Sequence, residues 1–304
     1  MLTEIYTKAA FTLTRLLLFL LLSIGIFNTS FAQEKKKDVT TPETPKEKIL
    51  EKKLENKPYS IRQFFHETIL FVKQPTKWKG KDWIRVGAVT LSTLAVMPFD
   101  ERITNLTQGQ QRYFYSVPIE GGRIYGEWYA IGGVAGAFAL YGWIAKDTGA
   151  KKIAIELLQG GLYSELVTTV LKISIGRARP EFTSNAFTYH PFTVGNYNFQ
   201  SLPSGHTTSA FALSTIMSRH AKSTSLKILA YVPAAFTMFS RIYQHHHWLS
   251  DEVVAAAIGY FAGNWVVDLH EGKRHRINVS SVLPPTISFN FDKRHLPIKS
   301  VLIF

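Results

Sequence analysis

The chain has 304 residues, no cysteine and a formal net charge of +13 at pH 7. The lack of cysteine excludes disulfides and cysteine-ligated metal sites. The length allows one large domain or two small ones, and the positive charge favours anionic partners such as membrane headgroups, phosphate-bearing substrates or nucleic acid.

The amino-terminal segment 1–32 has the features of a signal peptide. Lys8 and Arg15 precede an apolar run over residues 16–27, and Ser30 and Ala32 provide the small residues that a signal peptidase recognises. The run is shorter than the ~20 residues that span a bilayer, which argues against the alternative of an uncleaved anchor. The sequence therefore predicts export into a bacterial cell envelope, with cleavage near Ala32.

Two further segments precede the main body of the chain. Residues 33–57 are rich in Lys, Glu, Thr and Pro, so they cannot bury a core and are predicted to form a flexible charged linker. Residues 58–82 carry several large apolar side chains, among them Phe64, Ile69 and Val72. They predict an amphipathic segment that lies against the core or the bilayer surface.

Residues 83–270 alternate apolar runs of helical length with short polar links. The runs are 84–97, 128–144, 153–171, 206–218, 226–239 and 253–269. They predict an all-α bundle of five to six helices, and their many small residues favour close packing within a membrane. A soluble bundle is the alternative, and Glu156 and Glu165 fit a membrane only if they face the bundle interior or the site. After residue 270, the tail 271–304 contains short stretches in which apolar and polar residues alternate, and these predict a β-like hairpin.

The first of three polar blocks is Lys172-Ile-Ser-Ile-Gly-Arg-Ala-Arg179-Pro180. It places two cations seven residues apart, where Pro180 stops a helix. Cations at this position also anchor apolar helices at a membrane surface, so the block alone does not distinguish an anchor from a phosphate-binding site.

The second block runs from Leu202 to Ser209 and contains Pro203-Ser204-Gly205-His206 before an apolar run. A turn of this kind presents backbone N–H groups at a helix amino terminus, where an anion is favoured. A plain Ser cap would explain Ser204, but it would leave His206 unexplained.

The third block contains Arg241, His247 and Asp251. If the segment is helical, His247 and Asp251 share a face, and the carboxylate accepts the Nδ1 proton and leaves Nε2 as a nucleophile. Arg241 offers a planar set of donors for phosphate oxygens. A polar helix end with a metal-binding histidine run is the alternative, although consecutive histidines do not converge on one ion in a helix.

Together the blocks supply the groups that transfer of a phosphoryl group to a side chain requires. His247 is the predicted nucleophile, Asp251 its orienting carboxylate and His206 the general acid. The predicted phosphate ligands are Lys172, Arg179, Arg241, the Ser204 hydroxyl and the Gly205 amide. Because these cations stabilise the transition-state charge, we expect neither a metal nor another cofactor.

In these three blocks the chain resembles the type 2 phosphatidic acid phosphatase superfamily, which includes class A acid phosphatases and vanadium haloperoxidases. The resemblance covers about residues 80–270 and rests on three blocks in the family's order: Lys172-x6-Arg179-Pro180, Pro203-Ser204-Gly205-His206 and Ser240-Arg241-x5-His247-x3-Asp251. It implies a helical core and a phosphohistidine intermediate, with the roles given above.

Charge placement predicts an orientation. If the last five runs cross a membrane, the basic links 146–152 and 219–227 and the stretch 273–276 lie on one side and the three blocks on the other. The positive-inside rule then places the site on the periplasmic side. A cleaved signal leaves the new amino terminus outside, which requires that run 84–97 does not cross.

The leading hypothesis is therefore an exported, metal-independent membrane phosphatase. Its expected partners are the membrane and a phospholipid, polyprenyl pyrophosphate or lipid A-type substrate. Nucleic acid is not expected, because export and apolar helices argue against it and no groove-reading motif is present. The alternatives are a soluble periplasmic acid phosphatase of broad specificity, a vanadium-dependent haloperoxidase and a non-catalytic membrane protein.

Overall fold

A computed structural model describes residues 59–107 and 113–272, and within these ranges the chain is helical and forms no β-sheet. The helices are α1 Ile61–Val72, α2 Gly80–Val96, α3 Asp100–Thr107, α4 Val117–Tyr125, α5 Trp128–Ile144, α6 Thr148–Ile175, α7 Gly205–His220, α8 Thr224–Leu229, α9 Val232–Tyr243 and α10 Leu249–His270. The predicted signal peptide, charged linker and β-like tail lie outside the described residues, apart from the first two residues of the tail.

The all-α prediction is confirmed, and each predicted apolar run forms helix. Run 128–144 coincides with α5, whereas run 226–239 is divided between α8 and α9. Pro233 lies in the first turn of α9, where its missing N–H has no helical partner to lose. The helices outnumber the five or six expected, because the short α1, α3 and α4 lie outside the apolar runs.

The centre of the bundle consists of α6, α7 and α10, with α5 packed on α6 and α4 packed on α9. Its largest apolar cluster joins Leu157 of α6, Leu213 and Ile216 of α7 and Val267 of α10. Successive long helices run in opposite directions. Consequently the three polar blocks meet at one end of the bundle, which we call the motif end, and the opposite end is the far end.

The two glutamates in the third run face the bundle interior, as a membrane setting requires. Glu156 is fully buried at the far end, where it pairs with His220 Nε2 and lies 3.5 Å from His270 Nδ1. Glu165 accepts a 2.9 Å hydrogen bond from Ser209 Oγ. Polar partners thus accompany both carboxyl groups within an apolar helix.

Helix α1 is attached to the far end through its polar face. Glu67 is 2% exposed, lies 3.3 Å from His270 Nε2 and accepts a 2.8 Å hydrogen bond from Gln159 Nε2. The opposite face of α1 exposes apolar side chains at helical spacing, namely Ile61, Phe65, Ile69 and Val72.

Helix α2, which contains most of run 84–97, runs between the two ends of the bundle. Glu67 lies beside His270 at the carboxyl end of α10, while Asp100 accepts a 2.9 Å hydrogen bond from Ser250 N at its amino end. A helix of 22 residues is ~33 Å long. Since α2 packs on α10 between these points, the chain traverses the bundle before it reaches α3.

Helix α10 is the one described helix that is long and apolar enough, by length and composition, to cross a membrane. Helix α5 is a shorter apolar helix.

Candidate active site

The three polar blocks converge on a cavity of about 170 Å³ at the motif end. Six of the eight predicted site residues line it, and these are Lys172, Arg179, Gly205, His206, Arg241 and His247. The other two, Ser204 and Asp251, are fully buried. Residues that are 79 positions apart in sequence, Lys172 and Asp251, are therefore brought to one place by the folding of α6, α7, α9 and α10.

The cationic side chains lie at the carboxyl ends of two helices or just beyond them, where positive charge is favoured. Lys172 is in the last turn of α6, and its Nζ donates a 2.6 Å hydrogen bond to the Gln200 carbonyl. Arg241 is in the last turn of α9 and is 3% exposed. Arg179 lies beyond α6, with its Cζ 3.8 Å from the centre of the Tyr197 ring. The three cations give the cavity a positive lining suited to phosphate.

His247 lies in the connection between α9 and α10, so the expectation that it shares a helix face with Asp251 is wrong. Helix α10 begins only at Leu249. His247 Nδ1 lies 2.7 Å from the Ser201 carbonyl oxygen and 3.7 Å from Asp251 Oδ2. The nearest acceptor for the Nδ1 proton is thus a backbone carbonyl, with the carboxylate just behind it.

Two neighbours determine which ring nitrogen of His247 carries the proton. The Ser201 carbonyl can only accept, so Nδ1 is the donor. Arg179 Nη1 can only donate, and it lies 3.4 Å from Nε2. Nε2 is therefore the unprotonated nitrogen, and its lone pair faces the Arg179 guanidinium at the cavity.

The protonation state of His247 follows from its surroundings. Burial and the nearby Arg179 guanidinium lower the pKa of His247 well below its usual range, and the nearby Asp251 carboxylate only partly opposes this. The imidazole is consequently neutral at neutral pH, which is the form that a nucleophile requires.

Asp251 organises the loop that carries His247. Its Oδ2 accepts hydrogen bonds from Ser201 Oγ at 2.5 Å and from Trp248 N at 2.9 Å. Ser201 thus contacts Asp251 through its hydroxyl and His247 through its carbonyl. Asp251 can orient His247 through this residue as well as through its own charge.

Sequence reasoning missed two residues behind Asp251. Arg177 donates 2.7 Å hydrogen bonds to Asp251 Oδ1 through Nη1 and to Asp100 Oδ2 through Nη2, and all three side chains are fully buried. Arg177 lies inside the first block, but spacing alone does not separate its role from that of Arg179. Asp100 precedes the blocks by more than seventy residues, and no sequence signal connects it to them.

The second block forms the start of α7. Ser204 is the amino-terminal cap, and its Oγ accepts from Thr207 N at 3.5 Å. The capping role that sequence analysis weighed for Ser204 is therefore present. His206 lies in the first turn with Nε2 3.2 Å from Glu127 Oε1, a neighbour that the sequence did not indicate.

Other aromatic and histidine side chains near the site either line the cavity or pack in the interior. His246 and Tyr197 line the cavity, and His246 Nδ1 is 3.2 Å from Glu181 Oε2. Trp248 is fully buried and donates a 2.8 Å hydrogen bond to the Ala178 carbonyl, so it has a packing role. Across residues 59–107 and 113–272, no group of three or more His, Cys, Asp or Glu side chains is arranged to hold a metal ion.

Comparison with known proteins finds a matching family model and a curated relative. The family model described as "PAP2 superfamily" matches residues 154–274. A lipid A 1-phosphatase of Porphyromonas gingivalis is 35% identical over 103 residues, which are 32% of this chain and 20% of that protein. The chain thus spans about a fifth of the length of the curated relative that it matches.

Two solved structures are similar to part of the chain. One is Aquifex aeolicus LpxE, with 19% identity and a TM-score of 0.43 over 56% of this chain and 95% of that one. The other is a transmembrane PAP2 type phosphatidylglycerolphosphate phosphatase from Bacillus subtilis, with 22% identity and a TM-score of 0.45 over 60% and 94%.

The family match contains all three polar blocks, and the fold brings these blocks to one cavity. The family model that matches residues 154–274 is thus that of the family that the three blocks resemble.

Proposed function

We propose that the protein is a phosphatase that hydrolyses a lipid phosphate or pyrophosphate through a phosphohistidine on His247. The observation that carries this proposal is the unprotonated Nε2 of His247 at a cavity lined by Lys172, Arg179 and Arg241. A neutral imidazole among basic side chains matches the needs of phosphoryl transfer, in which catalysis is mainly positioning and charge stabilisation.

In the first step, Nε2 of His247 attacks phosphorus, and the bond from phosphorus to the leaving oxygen breaks. Lys172, Arg179 and Arg241 stabilise the charge on the equatorial oxygens, assisted by the amide of Gly205. His206 gives a proton to the leaving oxygen. In the second step, His206 takes a proton from water, which attacks phosphorus, and the bond to His247 breaks to release phosphate.

Exposed apolar side chains support a membrane setting over the soluble alternative. Helix α6 exposes Leu158, Leu162, Leu166 and Val170, each more than 40% accessible and each four residues from the next. Soluble monomers rarely expose a continuous apolar stripe of this kind, whereas lipid would cover it. After a carbonate wash of isolated membranes, we expect the protein in the pellet. Recovery in the supernatant would favour a soluble acid phosphatase.

Basic side chains at the far end support a periplasmic site. Lys151, Lys152, Lys222 and Lys227 lie in or next to the links at that end. The positive-inside rule favours a cytoplasmic far end and a cavity on the other side. Because α2 traverses the bundle, Tyr59–Val72 would then lie on the cytoplasmic side. A signal cleaved near Ala32 would instead leave the new amino terminus on the periplasmic side. The predicted signal cleavage and the predicted periplasmic site therefore exclude each other, and we retain the periplasmic site.

The substrate class follows from the setting and the relative. A site at the edge of an apolar bundle would receive a phosphate attached to a lipid, and the relative named lipid A 1-phosphatase supports a lipid A-type phosphate. Phosphatidic acid, phosphatidylglycerophosphate and polyprenyl pyrophosphate present the same phosphate chemistry to the cavity. They belong in the same assay.

The test is phosphate release by the purified, detergent-solubilised protein in EDTA, on these lipids and on a water-soluble aryl phosphate. His247→Ala should abolish release, whereas His66→Ala, at an exposed histidine of α1, should not change it. Brief reaction with labelled substrate should trap an acid-labile, alkali-stable phosphoenzyme in the wild type alone. Full activity of His247→Ala, or no release from any substrate by the wild type, would overturn the proposal.

A further inference from the structure

We propose that Glu127 is a positioning residue for the proton donor His206, and that it makes Nδ1 the nitrogen that serves the leaving group. The inference rests on the proposed phosphatase function and adds to it a residue outside the matched segment 154–274.

The contact between the two side chains is direct. Glu127 Oε1 lies 3.2 Å from His206 Nε2, and the side chains are 22% and 30% exposed. The same oxygen accepts a 3.0 Å hydrogen bond from Arg123 Nη1, and Arg123 Nε donates at 2.7 Å to Glu120. Arg123 thereby fixes the direction of the Glu127 carboxylate.

The backbone around Glu127 is also held against His206. A Cβ atom at Gly126 would lie 2.7 Å from the His206 carbonyl oxygen and 2.8 Å from its Cβ. The turn between α4 and α5 therefore packs directly on the first turn of α7. Helix α4 is fastened to α9 in turn, because Thr237 Oγ1 donates at 2.7 Å to the Gly122 carbonyl. The approach of Glu127 thus follows from backbone packing and not from a freely moving side chain.

This geometry assigns the two nitrogens of His206. Nε2–H donates to the carboxylate, so the proton for the leaving oxygen is carried by Nδ1. The negative charge stabilises the imidazolium before transfer and holds the ring in place. As the bond between phosphorus and the leaving oxygen breaks, the proton moves from Nδ1 to that oxygen. In the second step Nδ1 recovers a proton from the attacking water, and Glu127 itself exchanges none.

The experiment measures single-turnover cleavage by the full-length protein in detergent, on phosphate monoesters whose leaving groups range from an alkyl alcohol to dinitrophenol. A poor leaving group needs the proton and dinitrophenolate does not. Glu127→Gln should therefore slow alkyl ester cleavage about 10- to 100-fold and leave dinitrophenyl ester cleavage nearly unchanged. Asp82→Asn, which removes a carboxylate paired with Arg85 on α2, is the matched control and should change neither rate.

A second arm combines Glu127→Gln with His206→Ala. If Glu127 acts only through His206, the double variant should be no slower than His206→Ala alone. An equal loss on all esters, or a further loss in the double variant, would show a merely structural role and overturn the inference. Full activity of Glu127→Gln on alkyl esters would also overturn it while leaving the phosphatase proposal intact. Inactivity of the wild type would instead remove the phosphatase proposal.

Discussion

Arg177 Nη1 donates a 2.7 Å hydrogen bond to Asp251 Oδ1, and neither side chain has any exposed surface. Through Nη2 the same guanidinium is 2.7 Å from Asp100 Oδ2. A single buried cation therefore compensates two buried carboxylates, one of which lies behind the proposed nucleophile. Removing one partner of such a group leaves uncompensated charge inside the protein.

We expect Arg177→Met to lower the free energy of unfolding by about 3–5 kcal/mol and to reduce phosphatase activity strongly. The stability and activity of Arg177→Lys should lie between those of Arg177→Met and the wild type, because lysine keeps the charge but lacks the planar set of donors of a guanidinium. Thermal unfolding in detergent measures the first effect and initial rates measure the second. Arg85→Met is the control, since its pair with Asp82 is partly exposed and should contribute less than about 1 kcal/mol. Similar losses for the two methionine variants would contradict the prediction.

The lowered pKa of His247 predicts activity that persists into acid. Nε2 stays unprotonated below the ordinary value of 6.5, so the acid limb of kcat/KM should lie below that pH. Arg179→Gln removes a nearby positive charge, which raises the pKa of His247 and should move the limb to higher pH. Profiles of the two proteins on one substrate measure the shift. If the acid limb does not move, Arg179 is not the cause of the lowered pKa of His247.

The same pKa shift affects stability with a definite sign. Below pH 6.5 the unfolded chain protonates this histidine, whereas the folded protein resists doing so until the pH is well below that value. The unfolded state thus binds more protons in this window, and the His247 contribution to stability should fall as the pH is lowered through it. As the pH is lowered from 7, the thermal midpoint of the wild type should fall more steeply than that of His247→Ala.

Close packing between α7 and α10 should depend on Gly259. A Cβ atom there would lie 2.3 Å from the Thr208 carbonyl oxygen and 2.8 Å from Ala212 N, both backbone atoms that cannot easily move. Gly259→Ala should separate the two helices that carry His206 and Asp251, with a loss of about 1–3 kcal/mol and of activity. Gly133→Ala has no atom within 4 Å of the new Cβ and should be neutral or slightly stabilising. Equal thermal midpoints for these variants would refute the packing argument.

The absence of cysteine makes single-cysteine labelling of intact cells a direct test of the orientation. Three exposed positions are suitable: Arg62 on α1, Ser184 in the loop at the motif end and Lys222 at the far end. An impermeant maleimide added outside the inner membrane should label Ser184→Cys, while Arg62→Cys and Lys222→Cys should react only after permeabilisation. Labelling of Arg62→Cys together with Ser184→Cys would show that α2 does not cross.

Local pattern was enough to predict much of the bundle. Run 128–144 coincides with α5 because an uninterrupted apolar stretch between polar links can pair its own backbone N–H and C=O groups by forming a helix. Pro233, in contrast, divides a run that composition alone treats as continuous. The path of α2 along the bundle could not be predicted, since length and charge do not record that Glu67 and Asp100 contact opposite ends of α10.

The sequence by itself determined the chemistry of the candidate site. Spacing and residue type selected Lys172, Arg179, His206, Arg241 and His247, all of which line the cavity. Such groups can be recognised along the chain because each has an intrinsic capacity as donor, nucleophile or acid.

Only the tertiary structure decided which partners these groups have. It placed the Ser201 carbonyl closer than Asp251 to His247 Nδ1, Asp100 beside Arg177 and Glu127 beside His206. Hydrogen bonds and ion pairs act over a few ångströms, and the elements that supply these partners are separated by tens of residues in the chain. Their approach depends on helix packing, which local sequence does not encode.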